Sequence, residues 1–139
     1  MDTPLIKEFS YNVPIDEVWQ ALTETEKMKV WYFPQLKEFE PKIGFEFQFE
    51  DSGDQYRKKW VVTEIDKPKT FAHNWSYKGY KGESEVTFEL FPIDNGTKIR
   101  VTHTGIKNFP DYPHFKRERF EWGWSNLLGK NLKTLLEKN

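Results

Sequence analysis

Cysteine is absent from the chain, which excludes disulfide bonds, thiolate catalysis and sulfur-ligated metal ions. No apolar run approaches the roughly 18 residues that a membrane-spanning helix needs. The N-terminal residues Met1 to Pro4 lack the basic and then apolar order of a secretion signal. These absences predict a cytoplasmic protein without a membrane span.

The chain also lacks an excess of one charge sign, because it has 21 basic and 22 acidic side chains and a formal net charge of -1. A chain this close to neutrality has no long-range field that would select a polyanion. The basic cluster Arg57 to Lys59 would be split between two faces of a strand, and Glu118 dilutes the cluster Lys116 to Arg119. We therefore expect no nucleic-acid partner.

Aromatic residues are abundant, with 12 Phe, 6 Trp and 6 Tyr in 139 residues. Many recur at every second position, as Phe45, Phe47 and Phe49 do, which is typical of strands with one buried face. Large flat side chains leave gaps where they meet a helix obliquely. The pattern predicts one domain, residues 1–139, with a concave and partly polar cavity between a sheet and a helix.

The first fifty residues predict a strand followed by two short helices. Leu5 to Val13 has strand alternation, and Pro14 suits the first position of a helix. Thr23 and Glu26 have the spacing of a capping box for the second helix. The aromatic run Trp31 to Phe33 precedes a proline that ends helical structure.

Residues 36 to 105 predict strands joined by turns. The turn signals are Asp51 to Asp54, Asp66-Lys67-Pro68, Gly79 to Gly82 and, strongest of all, Asp94-Asn95-Gly96. Successive hairpins predict an antiparallel meander.

The C-terminal residues predict a long amphipathic helix that begins at Pro113 and runs to about Glu137, roughly 36 Å at 1.5 Å per residue. Gly123 and Gly129 interrupt it, each at a cost of about 1 kcal/mol against alanine. A glycine beside Trp124 predicts that the helix backbone closely approaches a bulky neighbour.

The order of these segments resembles a known family. The residues that carry the resemblance are Val13-Pro14, Val18-Trp19, Ala21-Leu22-Thr23, Trp31-Tyr32-Phe33-Pro34, Gly44, Glu64 to Pro68, Trp75, Asn95-Gly96-Thr97, His103-Thr104-Gly105 and Gly123-Trp124. Together they are similar to the bacterial homologues of the activator of the heat shock protein 90 ATPase, in the START-like or Bet v-like helix-grip superfamily.

The resemblance implies an α+β helix-grip fold. In that fold an antiparallel meander of about six or seven strands wraps around a long C-terminal helix, and two short helices follow the first strand. It also implies a pocket between the sheet and the helix. Because one fold carries many functions, the site has to be argued from the residues.

Two histidines have the strand parity of buried aromatic residues. His73 alternates with Phe71 and Trp75, and His103 alternates with Val101. Each would either orient a bound ligand through a hydrogen bond or bond to a neighbouring protein group. With His114 they form no metal-ligand spacing, so we expect no metal and no other cofactor.

Catalytic motifs are scarce. No Gly-x-Ser-x-Gly elbow occurs, and Ser52, Ser76 and Ser84 are predicted in turns or on outward faces. Glu64 would enter the interior only if it shared the parity of Trp60, and the sequence leaves that register open.

Two aromatic segments and one tryptophan remain. Trp31 to Phe33 and Phe109 to Pro113 either edge a pocket mouth or cap the core. Trp122 lies nearly half a turn from Trp124, so it either marks an association surface or packs on the pocket edge.

These patterns predict a protein that binds a small apolar or amphipathic ligand without catalysis. The alternatives are a chaperone co-factor and a cyclase- or hydrolase-like enzyme that uses the same pocket. The predicted ligand-binding residues are Trp31, Phe33, Phe47, Trp60, Phe71, His73, Trp75, Phe88, His103, Phe120 and Trp124.

Overall fold

The computed structural model describes residues 3–49, 60–77 and 81–137. The predicted turns at Asp51 to Asp54 and Gly79 to Gly82, and the basic cluster Arg57 to Lys59, lie wholly or partly outside these ranges. The strands are β1 (Leu5–Tyr11), β2 (Leu36–Glu38), β3 (Gln48–Phe49), β4 (Val62–Asp66), β5 (Thr70–Trp75), β6 (Ser84–Ile93) and β7 (Gly96–Thr104). The helices are α1 (Ile15–Thr23), α2 (Thr25–Trp31), α3 (Arg117–Asn126) and α4 (Lys133–Glu137), with a π-helical segment at Leu127–Leu132 and 3₁₀ turns at Ile106–Asn108 and Pro113–Phe115.

Five strands form an antiparallel sheet in the order β1-β7-β6-β5-β4, and β2 pairs with β3 in a separate ladder. The predicted hairpin at Asp94-Asn95-Gly96 is confirmed, since Ile93 pairs with Gly96 across a two-residue turn. The predicted break at Asp66 to Pro68 is confirmed between β4 and β5. Within the five-stranded sheet, β4 to β7 lie side by side in sequence order, as a meander predicts, and β1 pairs with β7.

The long C-terminal helix, Arg117–Glu137, covers the inner face of the sheet. Phe120, Trp124, Leu128 and Leu132 are buried at intervals of four residues, which places them on one stripe of the helix. The Trp124 ring meets the Phe88 ring of β6 at a centroid distance of 5.7 Å. The predicted helix-grip architecture is thus confirmed.

The beginning of this helix differs from the prediction. Pro113 opens a separate 3₁₀ turn, and the continuous helix begins at Arg117 because Lys116 has an extended backbone with ψ 147°. Proline is as suitable for a short turn as for a helix start, so the sequence signal did not distinguish the two.

The π-helical segment lies against β1. The phenol of Tyr11 donates a 2.8 Å hydrogen bond to the carbonyl of Leu128, which lies in this π-helical segment. A Cβ atom on Gly129 would lie 2.9 Å from the Phe9 ring. The expected close approach therefore occurs at Gly129, and the expectation was wrong for Gly123, where a Cβ atom would meet no atom within 4 Å.

The two short helices meet at Glu24, whose extended backbone separates them. The predicted capping box is wrong: α2 begins at Thr25, and the Thr23 hydroxyl donates instead to the Trp19 carbonyl at 2.8 Å. Because the hydroxyl of the buried Thr23 already bonds within α1, it does not cap α2.

The long helix also covers the edge strand. Arg117 donates to the carbonyls of Thr3 and Pro4, and Lys133 donates to the carbonyl of Ser10 at 3.3 Å. These bonds attach Ser10 of β1 and two residues that precede β1 to the long helix. Within the described ranges, no helix is both long and apolar enough to cross a membrane.

Candidate functional site

Aromatic rings from the sheet, the short helices and the long helix converge on one region. We define the aromatic interior as the rings of Trp31, Tyr32, Phe33, Phe47, Trp60, Phe71, His73, Trp75, Phe88, His103, Phe120 and Trp124. Centroids of neighbouring rings lie between 4.2 and 6.5 Å apart. The fold therefore brings all the predicted ligand-binding residues into one cluster, and all of them except the half-buried Phe33 are buried.

Tyr32 belongs to this cluster although the predicted site omitted it. Its ring stacks on Trp31 at 4.4 Å and an interplanar angle of 3°, and its hydroxyl lies 3.0 Å from Nε2 of His73. Tyr32 follows the last residue of α2, where neither the helical nor the strand period predicts an orientation. The one available signal was its position within the aromatic run.

His73 is hydrogen-bonded at both ring nitrogens. Nδ1 lies 2.7 Å from the Asn74 carbonyl, which only accepts, so we assign the proton to Nδ1. Nε2 then accepts from the Tyr32 hydroxyl. Burial lowers the pKa of His73 to about 4, against a smaller opposing effect of the Asn74 hydrogen bond. Burial also raises the pKa of the Tyr32 phenol well above its ordinary value, and both groups are neutral at pH 7.

His103 is held in the opposite tautomer. The Trp124 indole donates to Nδ1 at 3.1 Å, so Nε2 carries the proton and donates to the Ser84 hydroxyl at 2.8 Å. Ser84 in turn donates to the Trp75 carbonyl at 3.2 Å. Burial lowers the pKa of His103 to about 3, with His73 as the smaller cause.

The prediction that Ser84 lies in a turn or on an outward face was wrong, because Ser84 is buried at the start of β6. A serine beside a histidine invites comparison with a nucleophile and its base. A general base must accept the serine proton, whereas Nε2 of His103 donates to Ser84 because Trp124 occupies Nδ1. This pair is therefore a structural link between strands in the described tautomer.

Trp60 has a different environment from the other buried tryptophans. The indoles of Trp31, Trp75 and Trp124 donate to the Ala21 carbonyl, the Tyr77 hydroxyl and His103, respectively. Trp60 is 0% exposed, and its Nε1 has no hydrogen-bond partner among the described residues. An unpaired buried donor costs about 1–3 kcal/mol, so this atom requires an explanation.

The aromatic interior contains little formal charge. The buried polar side chains among the described residues are Thr23, His73, Ser84, Thr97 and His103. None of these is a carboxylate, an ammonium or a guanidinium group. The aromatic interior is therefore apolar and uncharged at neutral pH.

Residues 12–137 match the sequence profile of the family described as Activator of Hsp90 ATPase homolog 1-like protein. The chain belongs to this family. A comparison with curated protein sequences found no match.

Solved structures support the same fold for this family member. A Mesorhizobium loti protein is 22% identical, with a TM-score of 0.78 and 99% of each chain covered. An HSP90 activator from Plasmodium falciparum is 26% identical, with a TM-score of 0.71 over 98% of this chain and 96% of its own. The Aha1 dimer from Colwellia psychrerythraea is 21% identical, with a TM-score of 0.72 over 98% of this chain and 97% of its own.

Glu64 does not supply this family member with an interior acid. A bulge between Val62 and Glu64 shifts the pairing, so that Val62 lies opposite His73 and Glu64 lies opposite Ala72. Val62 is buried and Glu64 is exposed. A single extra residue therefore resolved the register that sequence parity left open.

In the segment Phe109 to Pro113, Phe109 packs against the core, whereas Tyr112 is 47% exposed. Phe109 is buried and contacts Tyr77, Phe115 and Phe120, with centroid distances of 5.3 to 6.0 Å. Trp122 instead projects from α3 with 67% of its side chain exposed.

Two clefts lined by described residues lie outside the aromatic interior, each with a volume of about 540 Å³. One is a polar cleft beside Asn74, Glu83 and Thr104, and the other lies between Ile15 and Pro92. Within residues 3–49, 60–77 and 81–137, no three His, Asp or Glu side chains are grouped to hold a metal ion. Lys116, which immediately precedes α3, pairs with Asp111 at 2.8 Å, so part of the basic cluster Lys116 to Arg119 is neutralised.

Proposed function

We propose that this protein binds a small, uncharged apolar molecule within the aromatic interior, between the sheet and the long helix. The observation that carries the proposal is the convergence of aromatic rings from separate elements on a region without formal charge. Ligand sites are commonly apolar and aromatic, with a few polar groups that fix orientation. The predicted ligand-binding residues form the proposed wall.

The histidines contribute to this wall as neutral rings. Both nitrogens of His73 and of His103 already bond to protein groups. A ligand that took a hydrogen bond from either imidazole would have to break one of these bonds. We therefore assign them ring contacts with the ligand rather than the polar orientation that the sequence suggested.

Binding is favoured over the cyclase- or hydrolase-like alternative. An acid-base catalyst works best with a pKa near the working pH. Burial moves the pKa of His73 to about 4 and that of His103 to about 3, which leaves both rings neutral and only weakly basic near pH 7. Glu64 is exposed and cannot replace them.

The binding test uses the uncharged fluorophore N-phenyl-1-naphthylamine. We expect its emission to rise on binding, with energy transfer from the buried tryptophans. Phe33→Ala, at the half-buried ring that contacts Trp60 at 4.8 Å, should change the affinity several-fold.

Phe91→Ala provides the matched control for this test. Phe91 is also half-buried, but it lies beside Lys98 and Arg100 on the outer face of the sheet. Its replacement should leave the affinity unchanged. Absence of binding, or an equal effect of the two substitutions, would contradict the proposal.

A chaperone co-factor is the second candidate, and two observations favour it. The HSP90 activator from Plasmodium falciparum shares 26% identity over nearly the whole chain. Trp122 provides an exposed aromatic group of the kind that interfaces favour. A cytoplasmic location, which the absence of cysteine suggests, suits this candidate and the ligand carrier alike.

The co-factor candidate predicts that saturating protein changes the ATP turnover of Hsp90, and that Trp122→Ser reduces this change. Phe91→Ala serves again as a control on a different surface. Unchanged turnover at saturation would reject this candidate and leave the binding proposal intact.

A further inference from the structure

We propose that the ligand of the aromatic interior carries a neutral hydrogen-bond acceptor, a carbonyl or ether oxygen, which accepts a hydrogen bond from the Nε1–H of Trp60. This inference rests on the proposed binding function and names the chemistry that the ligand must contain. It makes Trp60 the residue that selects among apolar molecules of similar shape.

The unpaired state of Trp60 is the first support. Its indole is fully buried and has no hydrogen-bond partner in the part of the chain that the structure describes, whereas three other buried indoles donate to an acceptor of the protein. Buried donors in native proteins are generally paired. An acceptor atom of a bound ligand would give Trp60 the hydrogen bond that the other three indoles make within the protein.

Nearby polar atoms do not satisfy this donor. The His73 ring stacks on Trp60 at 4.9 Å, but its Nε2 accepts from Tyr32. The Trp75 ring lies 4.2 Å from Trp60, and its own indole N–H donates to Tyr77. These hydrogen bonds of His73 and Trp75 therefore do not include the Nε1–H of Trp60.

Three phenyl rings give Trp60 only a weak alternative acceptor. Phe33, Phe47 and Phe49 meet the Trp60 ring edge-on, with interplanar angles of 70°, 71° and 88°. An N–H directed at a ring face is a second-order interaction. An oxygen acceptor is stronger, so a ligand oxygen would displace such a contact.

The surroundings also define the charge of the acceptor. A carboxylate or phosphate buried here would need a compensating cation. The buried side chains of the described residues include no lysine and no arginine. A neutral oxygen fits this wall, and an anion does not.

Among the described buried side-chain atoms, the acceptor Oε1 of Gln35 is the other one without a hydrogen-bond partner. Gln35 as a whole is partly exposed, so a rotation of its amide reaches water. Trp60 has no comparable escape because its side chain is 0% exposed. The inference therefore concerns Trp60 alone.

The test compares matched pairs of uncharged probes that differ in one acceptor. Benzophenone and diphenylmethane form one pair, and 1-acetylnaphthalene and 1-ethylnaphthalene form the other. We expect the full-length protein to bind the carbonyl member of at least one pair about three- to tenfold more tightly, as one net hydrogen bond allows. Calorimetric titration measures the two affinities.

Substitution at Trp60 should abolish this preference. Trp60→Phe removes the N–H and keeps an aromatic ring, so both members of a pair should bind with similar affinity. Trp122→Phe makes the same change at an exposed site and should retain the preference.

An NMR measurement on the unsubstituted protein covers the case in which Trp60→Phe does not fold. Benzophenone should move the Trp60 indole proton downfield, and diphenylmethane should not. If both members of each pair bind equally and the indole proton does not respond, the inference is overturned and the binding function stands. If no probe binds, the binding function fails and the inference fails with it.

Discussion

The indole Nε1 of Trp124 donates to Nδ1 of His103 at 3.1 Å and thereby joins the long helix to β7. The bond fixes the tautomer of His103, whose other nitrogen donates to Ser84 on β6. Ser84 bonds to the carbonyl of Trp75 on β5. Three consecutive hydrogen bonds thus connect the helix to three neighbouring strands across the sheet.

The first prediction concerns this connection. Trp124→Phe should destabilise the protein by at least about 1–3 kcal/mol, because it leaves Nδ1 of His103 buried without a donor and also reduces packing. Trp122→Phe, at an exposed position of the same helix, should change stability by no more than about 0.5 kcal/mol. Urea unfolding measures both. Equal effects of the two substitutions would show that the hydrogen bond is unimportant.

The second prediction concerns pH. The pKa values of His73 and His103 are about 4 and about 3 in the folded protein, against an ordinary value of 6.5. Between these values the unfolded chain binds more protons than the folded chain does. The free energy of unfolding should therefore be highest above about pH 6.5 and fall as the pH drops toward 5, with a slope approaching about 1.4 kcal/mol per pH unit for each histidine.

Carboxylates affect a lower pH range. The Arg100 hydrogen bond lowers the pKa of Glu8, and the Asn12 backbone lowers that of Glu137, from ordinary values of 4.5. Their stabilisation is present above that value and is lost below it. The decline between pH 6.5 and 5 therefore reports the histidines. Stability that stayed flat in this range, or imidazole NMR signals of His73 and His103 that titrated near pH 6.5, would contradict the described burial.

The third prediction separates the two glycines of the long helix. Gly123→Ala should stabilise the protein by about 0.5–1 kcal/mol, because the helix gains propensity and the new methyl group meets no neighbour. Gly129→Ala should be less favourable by about 1 kcal/mol or more, because its methyl group would press on the Phe9 ring. Thermal unfolding of the two variants tests this difference. A similar gain for both would mean that Phe9 moves freely.

Much of the fold was predictable because strand alternation is strict where one face is buried. The alternation placed His73 beside Phe71 and Trp75, and His103 beside Val101, on the inner face of the sheet. The period of two needs no knowledge of the partner strands. The same argument left the register of Glu64 open, and a bulge that no local pattern reveals decides it.

Features that depend on tertiary partners were not predictable from local patterns. Tyr32 lies just beyond α2, and its role follows only from its 3.0 Å contact with a histidine that lies 41 residues away. Ser84 looked like a turn residue because its segment is rich in Gly, Glu and Lys, whereas its partner His103 lies on another strand. The missing partner of Trp60 is likewise a property of packing rather than of sequence.

Intermolecular NOEs from bound benzophenone show whether an uncharged apolar molecule binds among the inner rings. We expect NOEs from the probe to ring protons of Trp60, Phe88 and Trp124. NOEs confined to the outer face of the sheet, around Phe91, would contradict this expectation.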